Sequence, residues 1–125
     1  MLATARAKLA ARMATWTTTP ICWPNTPPLT SLNVPWVRFH VLAGGELGYV
    51  TEGPVFEDGW CVVQCFAPSG SGDGTVSTYA DAIASLFRRY QSGTLICGTP
   101  KKVTVGDSDG WYQINVKIPW TIAGS

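Results

Sequence analysis

The sequence predicts an α+β domain: a largely antiparallel or mixed sheet of four to six strands, with two helices packed on one face. Three observations predict it. Two segments repeat apolar residues every three or four positions, the period of a helix with one buried stripe. Several others alternate at every second position, the period of a half-buried strand. The order runs helix, three strands, helix, then two or three strands, which places helices beside hairpin-connected strands. The 125 residues make one domain, 1–125.

The first helix is expected over residues 2–16. Leu2, Ala5, Leu9, Met13 and Trp16 form its stripe, with Arg6, Lys8 and Arg12 off it. Those cations interrupt what a secretory leader would need as an apolar core. The segment is basic and free of acids, as organelle transit peptides are, but a first helix of the fold accounts for it. Thr17-Thr18-Thr19-Pro20 ends it, because β-branched residues and proline disfavour continuation. Residues 21–23 are a short strand candidate. The proline-rich stretch 24–35 is an extended loop.

Residues 36–42 (WVRFHVL) alternate as a strand. Val37, Phe39 and Val41 face one way; Trp36, Arg38, His40 and Leu42 face the other. The long Gly-containing stretch 44–59 reads as a loop or projecting hairpin, and loops of that length are commonly functional. Residues 60–66 (WCVVQCF) are a strand so apolar that both of its faces are expected to be covered. After a flexible PSGSGDG turn, the second helix is expected over 75–91, with Val76, Tyr79, Ile83, Phe87 and Tyr90 as its stripe and Gly93 as its terminal glycine. Strand candidates follow at 94–97 and 101–105. A turn over 107–110 leads to the cleanest strand, 111–120.

Composition narrows the function. Hydrophobic residues make up 46% and charged residues 14%, with nine Lys+Arg and eight Asp+Glu, which excludes a disordered chain and a basic nucleic-acid clamp. No apolar run reaches membrane-span length, so no membrane partner is expected. Cys61 and Cys65 sit about 13 Å apart on one strand face, too far for a disulfide. With Cys22 and Cys97 they read as buried thiols of a reducing compartment.

Catalytic patterns are missing. His40 is the sole histidine and lies mid-strand, without a nucleophile that needs it as a base. There is no GxSxG elbow, and Gly70–Gly74 lacks both the Walker Lys-Ser/Thr and the dinucleotide spacing. Asp107 and Asp109 suit a turn; Glu57 and Asp58 suit a solvated loop. No catalytic, metal or cofactor site is expected. Trp36, Trp60, Trp111 and Trp120 read as core or subunit-interface aromatics.

Charge is laid out in blocks. Residues 1–45 carry +4 with no acid, 46–81 carry −6 with no base, and 82–125 carry +3, for a net +1. Blocks of this kind suit opposed surfaces that meet in head-to-tail association.

Several local sequences, in order, resemble the tail terminator (tail completion) proteins of long-tailed bacteriophages. They are the amphipathic first helix, Trp23-Pro24-Asn25 with the Pro-rich loop, WVRFHVL, the acidic loop, WCVVQCFAPSGSG, TYADAIASLF and WYQINVKIPW. The most telling piece is Phe-Ala-Pro-x-Gly-x-Gly running into a helix with Ala80-Asp81. The resemblance implies a structural virion protein, assembled in the host cytoplasm and residing in the tail at the head-tail junction. It implies a hexameric ring that caps the head-proximal end of the tail tube, ends its polymerisation and meets the head-completion or neck proteins, while DNA passes through the lumen without specific binding. A neck or head-tail adaptor ring is the close alternative, and a small intracellular ligand-binding domain the distant one. Contacts with subunits or partners are expected at Glu46, Leu47, Tyr49, Val50, Glu52, Phe56 and Glu57 of the loop, and at Arg88, Arg89, Lys101 and Lys102.

Overall fold

A computed structural model of the chain describes residues 2–29, 33–43, 56–70 and 73–123. Two helices and seven strands follow in the order α1 (Leu2–Met13), β1 (Ile21–Cys22), β2 (Trp36–Ala43), β3 (Phe56–Pro68), α2 (Asp73–Phe87), β4 (Gln91–Ser92), β5 (Leu95–Cys97), β6 (Lys101–Ser108) and β7 (Trp111–Ala123). The strands form one open, mixed sheet ordered β1-β2-β3-β7-β5-β4, with β6 also paired to β7. Only β1 and β2 run parallel. The sheet has one strand more than the upper expectation of six. Gln91–Ser92 is the strand that the sequence reading misses, being two residues long and without apolar alternation.

The centre is the antiparallel pair β3 and β7. They match over 13 residues each, from Phe56 opposite Ala123 to Pro68 opposite Trp111. Both outrun their expected bounds of 60–66 and 111–120. The expected loop 44–59 is thereby corrected at its end. Residues 44–55 lie outside the described residues, but Phe56, Glu57, Asp58 and Gly59 are strand. Ladder pairing to a long neighbour outweighs the weak strand preference of the acids. Pro119 is tolerated in this central strand because β7 changes its outer partner there, from β6 to β5. The Gly98 N–H donates to the Pro119 carbonyl at 2.8 Å on that side, so the missing proline N–H would also point outward, into the junction.

Register places Val37, Phe39 and Val41 across from Cys65, Val63 and Cys61, which in turn face Ile114, Val116 and Ile118. These residues share one side of the sheet and form a single core with Ala5, Leu9 and Met13 of α1 and Val76, Ala80, Ile83, Ala84 and Phe87 of α2. Two cations of α1 are spent inside the fold. Arg12 Nε donates to the Leu86 carbonyl at 2.8 Å and its guanidinium lies 4.9 Å from the Tyr90 ring centroid. Lys8 Nζ donates to the Ser92 carbonyl at 2.8 Å. Arg12 thus satisfies a carbonyl in the last turn of α2, where the helix lacks an internal partner.

Both helices are shorter than expected. After Met13 the chain tightens, with Thr15 N–H and Trp16 N–H bonding the Arg12 and Met13 carbonyls three residues back. Trp16 still reaches the core, and its Nε1 donates to Thr19 Oγ1 at 2.8 Å. The second helix stops at Phe87 because Arg89 takes the left-handed conformation, φ 57°. Gly93, expected to cap that helix, instead makes the turn between β4 and β5 with φ 60°. The expected four-residue turn before β7 narrows to Asp109-Gly110, both at positive φ, with Ser108 paired to Trp111.

Exposed Arg89 holds a conformation that costs a side-chain-bearing residue roughly 1 kcal/mol. Arg89→Gly is expected to raise the unfolding free energy by up to about 1 kcal/mol, as read by urea denaturation. The four cysteines are free and buried. Burial pushes the Cys65 thiol from an ordinary 9.0 to about 12, and Cys97 to about 11 although Arg12 pulls it down; Cys61 is raised further still. A thiol whose folded pKa is raised stabilises the fold below its unfolded pKa and loses that contribution as pH climbs toward the folded value. The melting temperature is therefore expected to fall as pH rises past about 9, and to fall less steeply in Cys97→Ala than in the parent chain.

Candidate functional site

The side of the sheet away from the core cluster carries the groups that function has to explain. Register sets Trp36, Arg38, His40 and Leu42 across from Phe66, Gln64, Val62 and Trp60, and these across from Gln113, Asn115, Lys117 and Pro119. Lys101 and Val103 of β6 join them opposite Lys117 and Asn115, and Ile96 of β5 joins opposite Thr121. A half-solvated antiparallel sheet ordinarily turns polar residues outward. This one does not. Among the described residues seven large apolar side chains are exposed, and five of them, Leu42, Phe56, Trp60, Ile96 and Val103, lie on this face. The expectation that both faces of 60–66 are covered fails at Trp60, 43% exposed within the chain, while Val62 on the same side is buried and Gln64 and Phe66 are half-buried.

The face has two zones. At the end where β2 meets β3, Leu42 and Trp60 sit directly opposite each other, with Phe56 and Ile96 further along β3 and β5. The other zone is aromatic and cationic. Trp36 stacks on Phe66 at a 4.3 Å centroid separation and meets Trp111 edge-on at 6.1 Å. The Arg38 guanidinium lies 5.5 Å from the Trp36 ring centroid. Lys101 and Lys117 are directly paired across β6 and β7. Among the described residues the one ion pair is Lys102 with Asp81, on the helix side, so Arg38, Lys101 and Lys117 have no carboxylate partner there. His40 Nε2 lies 3.3 Å from Gln64 Oε1 in the same zone, as a sheet-packed imidazole should.

Those contact residues expected from sequence that lie among the described residues do not share one surface. Glu46, Leu47, Tyr49, Val50 and Glu52 lie outside the described residues. Phe56 and Glu57 begin β3, with Phe56 exposed on the open face and Glu57 on the helix side. Arg88 and Arg89 are exposed just beyond α2, and Lys102 is committed to Asp81. Lys101 alone of the cationic set joins the open face. What sequence reasoning misses is Arg38, Leu42, Ile96 and Lys117. The signal for Arg38 and Leu42 was present, since the alternation in 36–42 separates them from Val37, Phe39 and Val41. For Ile96 and Lys117 the facing depends on pairing that no local pattern reports.

The described residues hold no cluster of three metal-binding side chains, and no helix among them is long and apolar enough to cross a membrane. A family profile described as "Phage tail terminator protein" matches residues 4–120. No curated protein sequence matches. Six solved chains match, and one of them superimposes with a TM-score of 0.72 over 96% of this chain and 94% of its own, at 20% sequence identity, which speaks to the fold.

If the open face is surface rather than core, its apolar residues contribute little to the isolated fold. Leu42→Ser and Phe56→Ser are expected to cost less than about 1 kcal/mol in urea denaturation, whereas Phe39→Ala on the core side costs about 3–5 kcal/mol.

Proposed function

The chain belongs to the phage tail terminator family and is a structural component of the virion tail; from this premise we propose that it assembles as a ring on the head-proximal end of the tail tube. In this reading the ring ends tube polymerisation, presents a docking surface to the head-completion or neck proteins, and passes DNA through its lumen. Six subunits are the stoichiometry carried over from the resemblance. The role is one of contact without catalysis. It resides at the head-tail junction and is reached by assembly in the host cytoplasm.

The observation that carries the reading beyond the family is the uncovered apolar and cationic sheet face. A small domain that leaves Leu42, Phe56, Trp60 and Ile96 in water on one face has a use for that face in assembly. The net charge of +1 fits a lumen that must release DNA, because tight duplex binding needs many phosphate-directed cations. The exposed edge strand β6 offers backbone groups to a neighbour as well.

The test is an assembly reaction. Added to polymerising tail tube protein, the purified chain is expected to stop elongation and to appear by negative-stain microscopy as a ring at one end of each tube. Replacing residues 46–55 by a short Gly/Ser linker is expected to leave a folded chain that no longer caps. Tubes that grow to the same length with and without the wild-type chain would falsify the reading, and a ring seated on the head side of a separate neck would support the adaptor alternative instead.

A further inference from the structure

We propose that the open sheet face is the receptor for the acidic segment 46–55 of a second copy of this chain. The proposal rests on the ring reading, and it names which surfaces meet.

The first argument is the lysine pair. Lys101 and Lys117 are directly opposite on neighbouring strands, a placement that brings like charges close and is unfavourable by itself. Arg38 adds a third cation to the same side, on β2. None of the three meets a carboxylate among the described residues. An anionic partner relieves that repulsion, and the chain contains a matching one. Residues 46–55 carry Glu46 and Glu52 and no base.

The second argument is the two-zone layout. The cations occupy one part of the face, while the part toward Leu42, Trp60 and Phe56 is apolar and exposed. The segment has the same mixed chemistry, its glutamates being interspersed with Leu47, Tyr49, Val50 and Val55. A phosphate backbone would match the cations but would find no use for the apolar zone. A peptide segment that mixes carboxylates with apolar side chains matches both zones. Because each copy carries one receptor and one segment, the contact is heterologous, the kind from which a closed ring is built.

Charge exchange tests it on the full chain. Lys101→Glu/Lys117→Glu reverses the receptor, and Glu46→Lys/Glu52→Lys reverses the segment. Lys101 and Lys117 are outside the core cluster, and circular dichroism verifies that each variant is folded. In sedimentation velocity at low salt the wild-type chain is expected to self-associate, and each variant alone to do so at least about tenfold more weakly. An equimolar mixture of the two variants is expected to regain association, since each then supplies the complement of the other. Unchanged association in either variant overturns the proposal. So does a mixture no more associated than its components, or a wild-type chain still monomeric at about 1 mM. Duplex DNA binding that the receptor variant loses, with association intact, assigns the face to phosphate and also overturns it. Tube capping by the wild-type chain, scored in parallel, separates the two readings: capping that persists when the proposal fails leaves the ring function standing.

Discussion

The antiparallel ladder between β3 and β7 is the constraint on which everything else hangs. It joins residues 56–68 to 111–123 without a break. Each of these strands then supports a second partner, β2 on the side of β3, and β6 and then β5 along the outer side of β7. Both helices close over the core side of this pair and its neighbour β2. A pairing this long between segments so distant in sequence is costly to nucleate, because loop closure precedes any contact that repays it. Once formed, it sets the pleat, and the pleat decides for every residue of both strands whether it enters the core or faces out.

The two sides of that pleat differ in kind. The helix side is dry and close-packed: Cys61, Val63, Cys65, Ile118 and Val116 have no residual exposure or only traces of it. Its cysteines act as small hydrophobes, and their raised pKa values are the electrostatic mark of the same burial. The opposite side mixes apolar residues, cations and uncharged polar groups. Of the chain's six tryptophans, Trp23 packs against the core, edge-on to Phe39. Trp120 and Trp16 belong to the core; Trp36, Trp60 and Trp111 form or border the open face.

The block pattern of charge also changes meaning in three dimensions. The positive block of residues 1–45 is not one surface. Lys8 and Arg12 bond backbone carbonyls around the end of α2, while Arg38 lies on the far side of the sheet. From the later block, Lys102 is consumed by Asp81, and Lys101 and Lys117 stand together without a carboxylate partner among the described residues. Linear charge segregation does not map onto surfaces directly, because the fold selects which of the charges stay free. The same holds for the contact residues read from the sequence: Lys101 sits on the open face, whereas its neighbour Lys102 projects to the helix side because the strand alternates.

By itself the sequence determined the fold class, the two amphipathic stripes, the inward set of 36–42 and the family, because each is written in local periodicity or in contiguous motif. It also determined that Cys61 and Cys65 are not paired with each other, since spacing along a strand settles that without a structure. Tertiary structure alone decided the lengths of β3 and β7, the existence of β4, the exchange of roles between Arg89 and Gly93, and which cations are left over. Strand length is set by how much partner is available, and a residue's freedom by what the fold places across from it. Those are properties of pairs distant in the chain, and no pattern within either partner records them.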